Sequence, residues 1–191
     1  MGIRMTTLKI TAADLGENNV YKAGASLEFE GHIEIAADLG TVIFSGRLSA
    51  AGYIRAATGS GIYAGRSIYA GERIEAGERI EAGRSIEAGG SIYAGGSIYA
   101  GGNIDAGQHI FAGGSIYAGG NINAGQSIEA GGSIDAGQRI SCRESLSASL
   151  RIFAGICLWR IPTPDELTIT CGRLAKGTVA FGTLKETGEN E

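Results

Sequence analysis

Residues 95–112 read GGSIYAGGNIDAGQHIFA and residues 113–130 read GGSIYAGGNINAGQSIEA; the two differ only at positions 105, 109 and 111. The match runs at a lag of eighteen and extends to variable positions, pairing Tyr99 with Tyr117, Asn103 with Asn121 and Gln108 with Gln126. On either side of this pair, Ile recurs at every sixth position from Ile62 to Ile140. Each Ile up to Ile134 is followed two residues later by Ala, and each of those Ala by Gly. In a strand, Ile and Ala face one way and the residue between them faces the other. The Gly-Gly, Gly-Gln or Gly-Glu that follows then reads as a corner, since Gly accepts a positive φ without steric cost. Each hexad is a short strand plus a corner, and three hexads make one coil. The expected fold is all-β, a three-sided parallel β-helix of about 18 residues per coil, with like residues stacked at the ~4.8 Å strand spacing. A duplicated eighteen-residue unit with a different physical turn is the alternative, and the repeat GERIEA at 71–76 and 77–82 keeps it open.

The perfect hexads occupy 61–140 within a β-helix expected over 41–160. Residues 1–40 are expected to form an N-terminal cap, and 161–191 a C-terminal cap and tail. Val42, Leu48 and Ile54 already keep the spacing of six. Ile54 to Ile62 is eight, which places an extra Gly-Ser near 59–60. Caps are expected because each end of a β-helix exposes unpaired strand edges. At the far end the register survives at Leu146, Ile152 and Leu158, and the chain then breaks at Pro162 and Pro164, which cannot donate to a ladder. Trp159, Leu167, Ile169, Val179 and Phe181 are expected to cover the last coil.

Composition narrows the function classes. A net charge of −4 supplies no basic field, so no nucleic-acid partner is expected. No segment approaches the roughly 18–20 apolar residues of a membrane helix, and the opening residues show no secretory apolar stretch, so no membrane partner is expected. Cys142, Cys157 and Cys171 form no CxxC pair, which reads as free thiols in a cytoplasmic protein.

The hexads invite comparison with left-handed β-helix acyltransferases. Those enzymes carry their small inward residue four positions after the aliphatic one, a slot that here holds Arg66, Glu72, Glu78, Arg84, Gln108 and Gln126. Such side chains do not line a dry interior. Through LEFEGHIEIAADLG, VIFSGRLSAAG and AGGSIYAGGNI, residues 26–158 resemble the bactofilins and related polymer-forming cytoskeletal proteins. That resemblance implies a cytoplasmic, three-sided β-helix without cofactor that assembles end to end. The strict Ile-x-Ala-Gly hexad and the expected C-terminal cap depart from it.

No nucleophile–base pair, metal-ligand cluster or phosphate loop stands out, so the expectation is a non-enzymatic protein with no cofactor, metal or catalytic residue. His32 and His109 read as structural. The outward slot after each Ile is not a Thr ladder, which argues against ice binding. At a lag of eighteen, Tyr99 stacks on Tyr117 and Tyr93 on Phe111, on adjoining faces. Tyr93, Tyr99, Phe111 and Tyr117 are therefore the candidate protein-interface residues, because exposed aromatics favour interaction hot spots. Cross-strand stabilisation of the sheet by the same rings is the plainer reading. The charged band from Arg66 to Arg84 reads as a solvated face. Two functions follow: a self-assembling scaffold of the bactofilin kind, or a capped, monomeric or homodimeric binder such as a phage or mobile-element inhibitor docking on a host protein.

Overall fold

The computed structural model describes residues 5–157 and 160–188. The chain winds as a parallel β-solenoid of about nine coils, most of which contribute one short strand to each of three faces. Ile98 lies beside Ile116 and Ile116 beside Ile134, which fixes the coil at eighteen residues and excludes twelve.

The first face runs from Thr7–Ile10 through His32–Ile35, Ile54–Ala56, Ile74–Ala76, Ile92–Ala94 and Ile110–Ala112 to Ile128–Ala130. The second runs from Gly40–Phe44 through Ser60–Ala64, Ile80–Ala82, Ile98–Ala100 and Ile116–Ala118 to Ile134–Ala136. The third is a separate nine-stranded sheet from Leu27–Phe29 to Thr183–Glu186. The first two faces merge into one sheet at the C-terminal end, because the ten-residue strand Ser145–Ala154 turns the corner unbroken. Its Leu146 pairs with Ile128 on the first face and its Ile152 with Ile134 on the second.

Ile fills the interior because alternation points it inward: every Ile from Ile62 to Ile140 is at most 1% exposed. The Ala two residues later is buried as well. Full burial of an Ile side chain is worth roughly 1.5–3 kcal/mol against an exposed reference, so each coil adds a similar increment along the stack.

The corners work differently from the sequence expectation. Among the described residues the positive-φ glycines are Gly24, Gly40, Gly59, Gly155, Gly177 and Gly182, none of them in the regular hexads. The hexad glycine is required by close approach instead. A Cβ on Gly107 would lie 2.0 Å from the carbonyl oxygen of Gly89, and one on Gly125 would lie 2.0 Å from that of Gly107. From Ser85 to Ser127, a Ser or Asn before Ile ties one coil to the next. Asn121 N–H donates to Asn103 Oδ1 at 2.9 Å, and Ser115 N–H to Ser97 Oγ at 3.0 Å. A side-chain oxygen of one coil thus satisfies a backbone donor of its neighbour, which explains Ser and Asn at these corners.

The extra Gly-Ser at 59–60 forms a tight arc. Gly59 takes φ 73°, and buried Ser60 donates to the Ala36 carbonyl at 2.7 Å while accepting from Leu39 N–H at 3.0 Å. This arc keeps Val42 beside Ile62 although the two are twenty residues apart. At the N-terminal end, Thr7–Ile10 and Leu27–Phe29 are already ladder strands, with short 3-10 turns at Ala12–Asp14 and Glu17–Asn19 between them.

At the other end, Thr168–Cys171, Arg173–Phe181 and Thr183–Glu186 continue the parallel ladders on the faces. Ile169 is fully buried beside Ile140, while Phe181 is 47% exposed. Trp159 and Leu158, assigned to this end from the sequence, lie outside the described residues. The Pro162–Pro164 excursion is pinned by Glu166, whose carboxylate accepts from Arg160 Nη1 at 2.7 Å, Thr163 N–H at 2.8 Å and Gln138 Nε2 at 3.2 Å.

Candidate interaction surface

The residue between Ile and Ala points outward, so each face displays one ladder of such residues. On the first face the order is Lys9, Glu34, Arg55, Glu75, Tyr93, Phe111, Glu129, Ser147, Lys176. On the third it is Glu28, Ser49, Tyr69, Glu87, Asp105, Asn123, Ser141, Thr170, Lys185. The second face reads Val20, Ile43, Tyr63, Glu81, Tyr99, Tyr117, Asp135, Phe153, Phe181. Seven of its nine rungs are apolar or aromatic, against two on the first face and one on the third.

The four aromatics expected at one corner divide between two settings. Tyr99 and Tyr117 form a closed stack, ring centroids 4.9 Å apart and planes within 5°. They are the middle of the apolar ladder. Tyr93 and Phe111 stand 6.4 Å apart and are tilted by 44°, an open pair enclosed by charged rungs. No ring pair bridges the corner among the described residues. Beside Tyr93 lies a shallow groove of about 570 Å³, lined at its far end by Arg55 and Arg73. Both guanidinium groups lean on the same carboxylate, Glu75, at 3.8 and 3.5 Å. These contacts are largely solvated and worth little each.

No family profile, curated protein or solved structure matches this chain.

The remaining chemistry-bearing residues have structural surroundings. His32 stacks on Tyr53 at 4.1 Å and its Nδ1 accepts from Tyr53 N–H at 3.1 Å, while Tyr53 Oη donates to Glu34 at 2.8 Å. Arg73 sits 5.3 Å over the Tyr53 ring. His109 is at a corner, its backbone N–H donating to Ser91 Oγ at 3.3 Å. Burial, with Cys171 close by, pushes the Cys142 thiol up to about 12, so it stays protonated at neutral pH and is a poor nucleophile. Among the described residues no group of three or more His, Cys, Asp and Glu side chains is placed to hold a metal ion. Among the same residues no helix is long and apolar enough to cross a membrane.

Ile43, Tyr63, Phe153 and Phe181 were missed by reading the sequence for its repeat alone. A signal was present: stepping by eighteen from Tyr63 gives Glu81, Tyr99, Tyr117, Asp135 and Phe153. Sorting the outward slot by face reveals the apolar stripe, whereas taking it in chain order mixes three faces. Ile43 and Phe181 join the stripe through irregular coils, and only strand pairing assigns them.

Proposed function

We propose that this protein is a non-enzymatic β-solenoid whose second face is a docking surface for protein. The observation that supports this reading is the concentration of apolar and aromatic rungs on one of three otherwise equivalent faces. Strand propensity alone would spread Tyr and Phe over all three, because every face uses the same hexad. Tyr99 and Phe181 on this face are exposed and Ile43, Tyr63, Tyr117 and Phe153 half-buried, and Tyr and Phe are enriched at binding surfaces. A rigid solenoid holds the rings in place before contact, so little ordering entropy is lost on docking.

A photo-crosslinking residue placed at Phe153 or Tyr63, with Tyr69 of the third face as control, tests this reading in intact cells. Discrete crosslinked species are expected from the second face. Crosslinking at Tyr69 alone would refute it.

End-on assembly of the bactofilin kind is a second reading. It is favoured by the outer edges of Arg173–Phe181 and Thr183–Glu186, which pair with no further strand among the described residues. Electron microscopy of the purified chain distinguishes the two, since only end-on assembly gives filaments one solenoid wide.

A further inference from the structure

The second-face ladder has an order that a single foreign partner would not require. Val20 joins only through an isolated bridge; with apolar and aromatic side chains taken as one type, the eight strand rungs from Ile43 to Phe181 run apolar, apolar, acid, apolar, apolar, acid, apolar, apolar. This is a palindrome of chemical type, centred between Tyr99 and Tyr117. A two-fold interface uses the same patch on both subunits and demands self-complementarity of this kind. We propose that the occupant of the second face is a second copy of this chain, packed face to face with antiparallel solenoid axes about a two-fold between Tyr99 and Tyr117. The inference rests on the docking reading above and names the partner.

In that arrangement Tyr99 faces the opposite copy's Tyr117, Tyr63 faces Phe153 and Ile43 faces Phe181. The two acidic rungs meet as Glu81 against Asp135, once on each side of the axis. Like charges brought together would oppose association, but each such pair contains one cation: Arg79 Nε lies 3.6 Å from Glu81 Oε2, two residues before it in the chain. The parallel two-fold is worse. It sets Asp135 on Asp135 and gives both Arg79 side chains to the Glu81 pair, leaving a dry carboxylate pair without a counter-charge. The face is also of suitable size. Eight rungs at ~4.8 Å, across a side of ~15 Å, give roughly 600 Å² of flat area, near the lower end of a standard protein interface.

Sedimentation velocity of the full chain from about 1 to 100 µM, with circular dichroism as the folding control, puts this to the test. A dimer is expected in this range, and Tyr99→Ser with Tyr117→Ser is expected to weaken it at least about thirty-fold. Asp135→Lys supplies the orientation, and an independent readout should the tyrosine variant fold poorly. Antiparallel packing sets the new lysine against Glu81 and tightens the dimer several-fold; parallel packing exchanges the Asp135 pair for a lysine pair, one like-charge contact for another, and brings no such gain. A chain that remains monomeric at 100 µM overturns the second-copy inference while leaving the second face available to a foreign partner. A dimer indifferent to the tyrosine substitutions overturns both readings, and a dimer that Asp135→Lys fails to tighten overturns the antiparallel geometry.

Discussion

Replacing Gly107 by Ala separates two accounts of the corner glycines. If glycine served backbone freedom, Ala at a position without positive φ would be harmless, or stabilising by about 0.4–1 kcal/mol through the unfolded chain. The packing predicts the reverse. The new Cβ would sit 2.0 Å from the Gly89 carbonyl oxygen, and reaching the 3.4 Å of ordinary contact parts the two coils by about 1.4 Å. That separation breaks Gly107 N–H to Ala88 O at 3.0 Å and strains Gln108 N–H to Gly90 O at 3.1 Å. Two hydrogen bonds at about 1 kcal/mol each, with overpacking of 1–3 kcal/mol, give a loss of roughly 3–5 kcal/mol. For a chain of this length that is about 6–20 °C in melting temperature. Gly102→Ala is the internal control, because its Cβ would meet Ser85 Oγ at 2.9 Å, the tip of a side chain that can rotate away. Its cost should be about 1 kcal/mol, that of the bond Ser85 Oγ accepts from Asn103 N–H at 3.3 Å. Differential scanning calorimetry on both variants decides the matter. Equal melting temperatures, or a more stable Gly107→Ala protein, would refute the close-approach account.

The other expectations concern the corner ladder, the acidic rung, the proline excursion and the far end. Asn103→Ala removes the acceptor for Asn121 N–H and should cost about 1 kcal/mol, while Asn103→Ser keeps an oxygen near that position and should cost less; chemical denaturation of the pair measures the difference. Burial raises the Asp135 carboxyl above its ordinary value, so the folded state favours its protonated form. Its stabilising contribution is therefore complete below the unfolded value near 3.8 and falls away as pH rises through the folded one. Asp135→Asn should accordingly raise the melting temperature at pH 7 but not at pH 3, and an unchanged melt at pH 7 would contradict the assignment. Glu166 is held down to about 2 by Arg160 and the Thr163 N–H, so its contribution is present above about 4.5 and lost as pH falls toward 2. Hydrogen exchange should show Thr163 losing protection across that window, and Glu166→Gln should erase the pH dependence. Ending the chain after Leu158 uncovers the strand edges beside Ile140, Leu146 and Ile152, all fully buried, and light scattering should report aggregation; a monodisperse truncated chain with the parent melting temperature would contradict this.

The repeat alone specifies the strand, the place of the corner and the length of the coil. A period of six with Ile and Ala two apart allows one inward set, and identity at a lag of eighteen, extending to variable positions, selects three strands per turn. Those features are local or strictly periodic, so one chain suffices to read them. The stacking of Tyr99 on Tyr117 and of Tyr93 on Phe111 followed from the same arithmetic. Distances between coils, and register across irregular segments, emerge only in the folded chain. Glycine after Ala is set by a neighbouring carbonyl about 2 Å from where a Cβ would stand, a contact made by a residue eighteen positions away. The pairings of Ile43 with Tyr63 and of Phe153 with Phe181 cross segments of unequal length, where ladder hydrogen bonds rather than residue count fix the partner. Only with those pairings in place does one face separate as apolar, because a face is a property of coils stacked in space and the chain visits it once in every three strands.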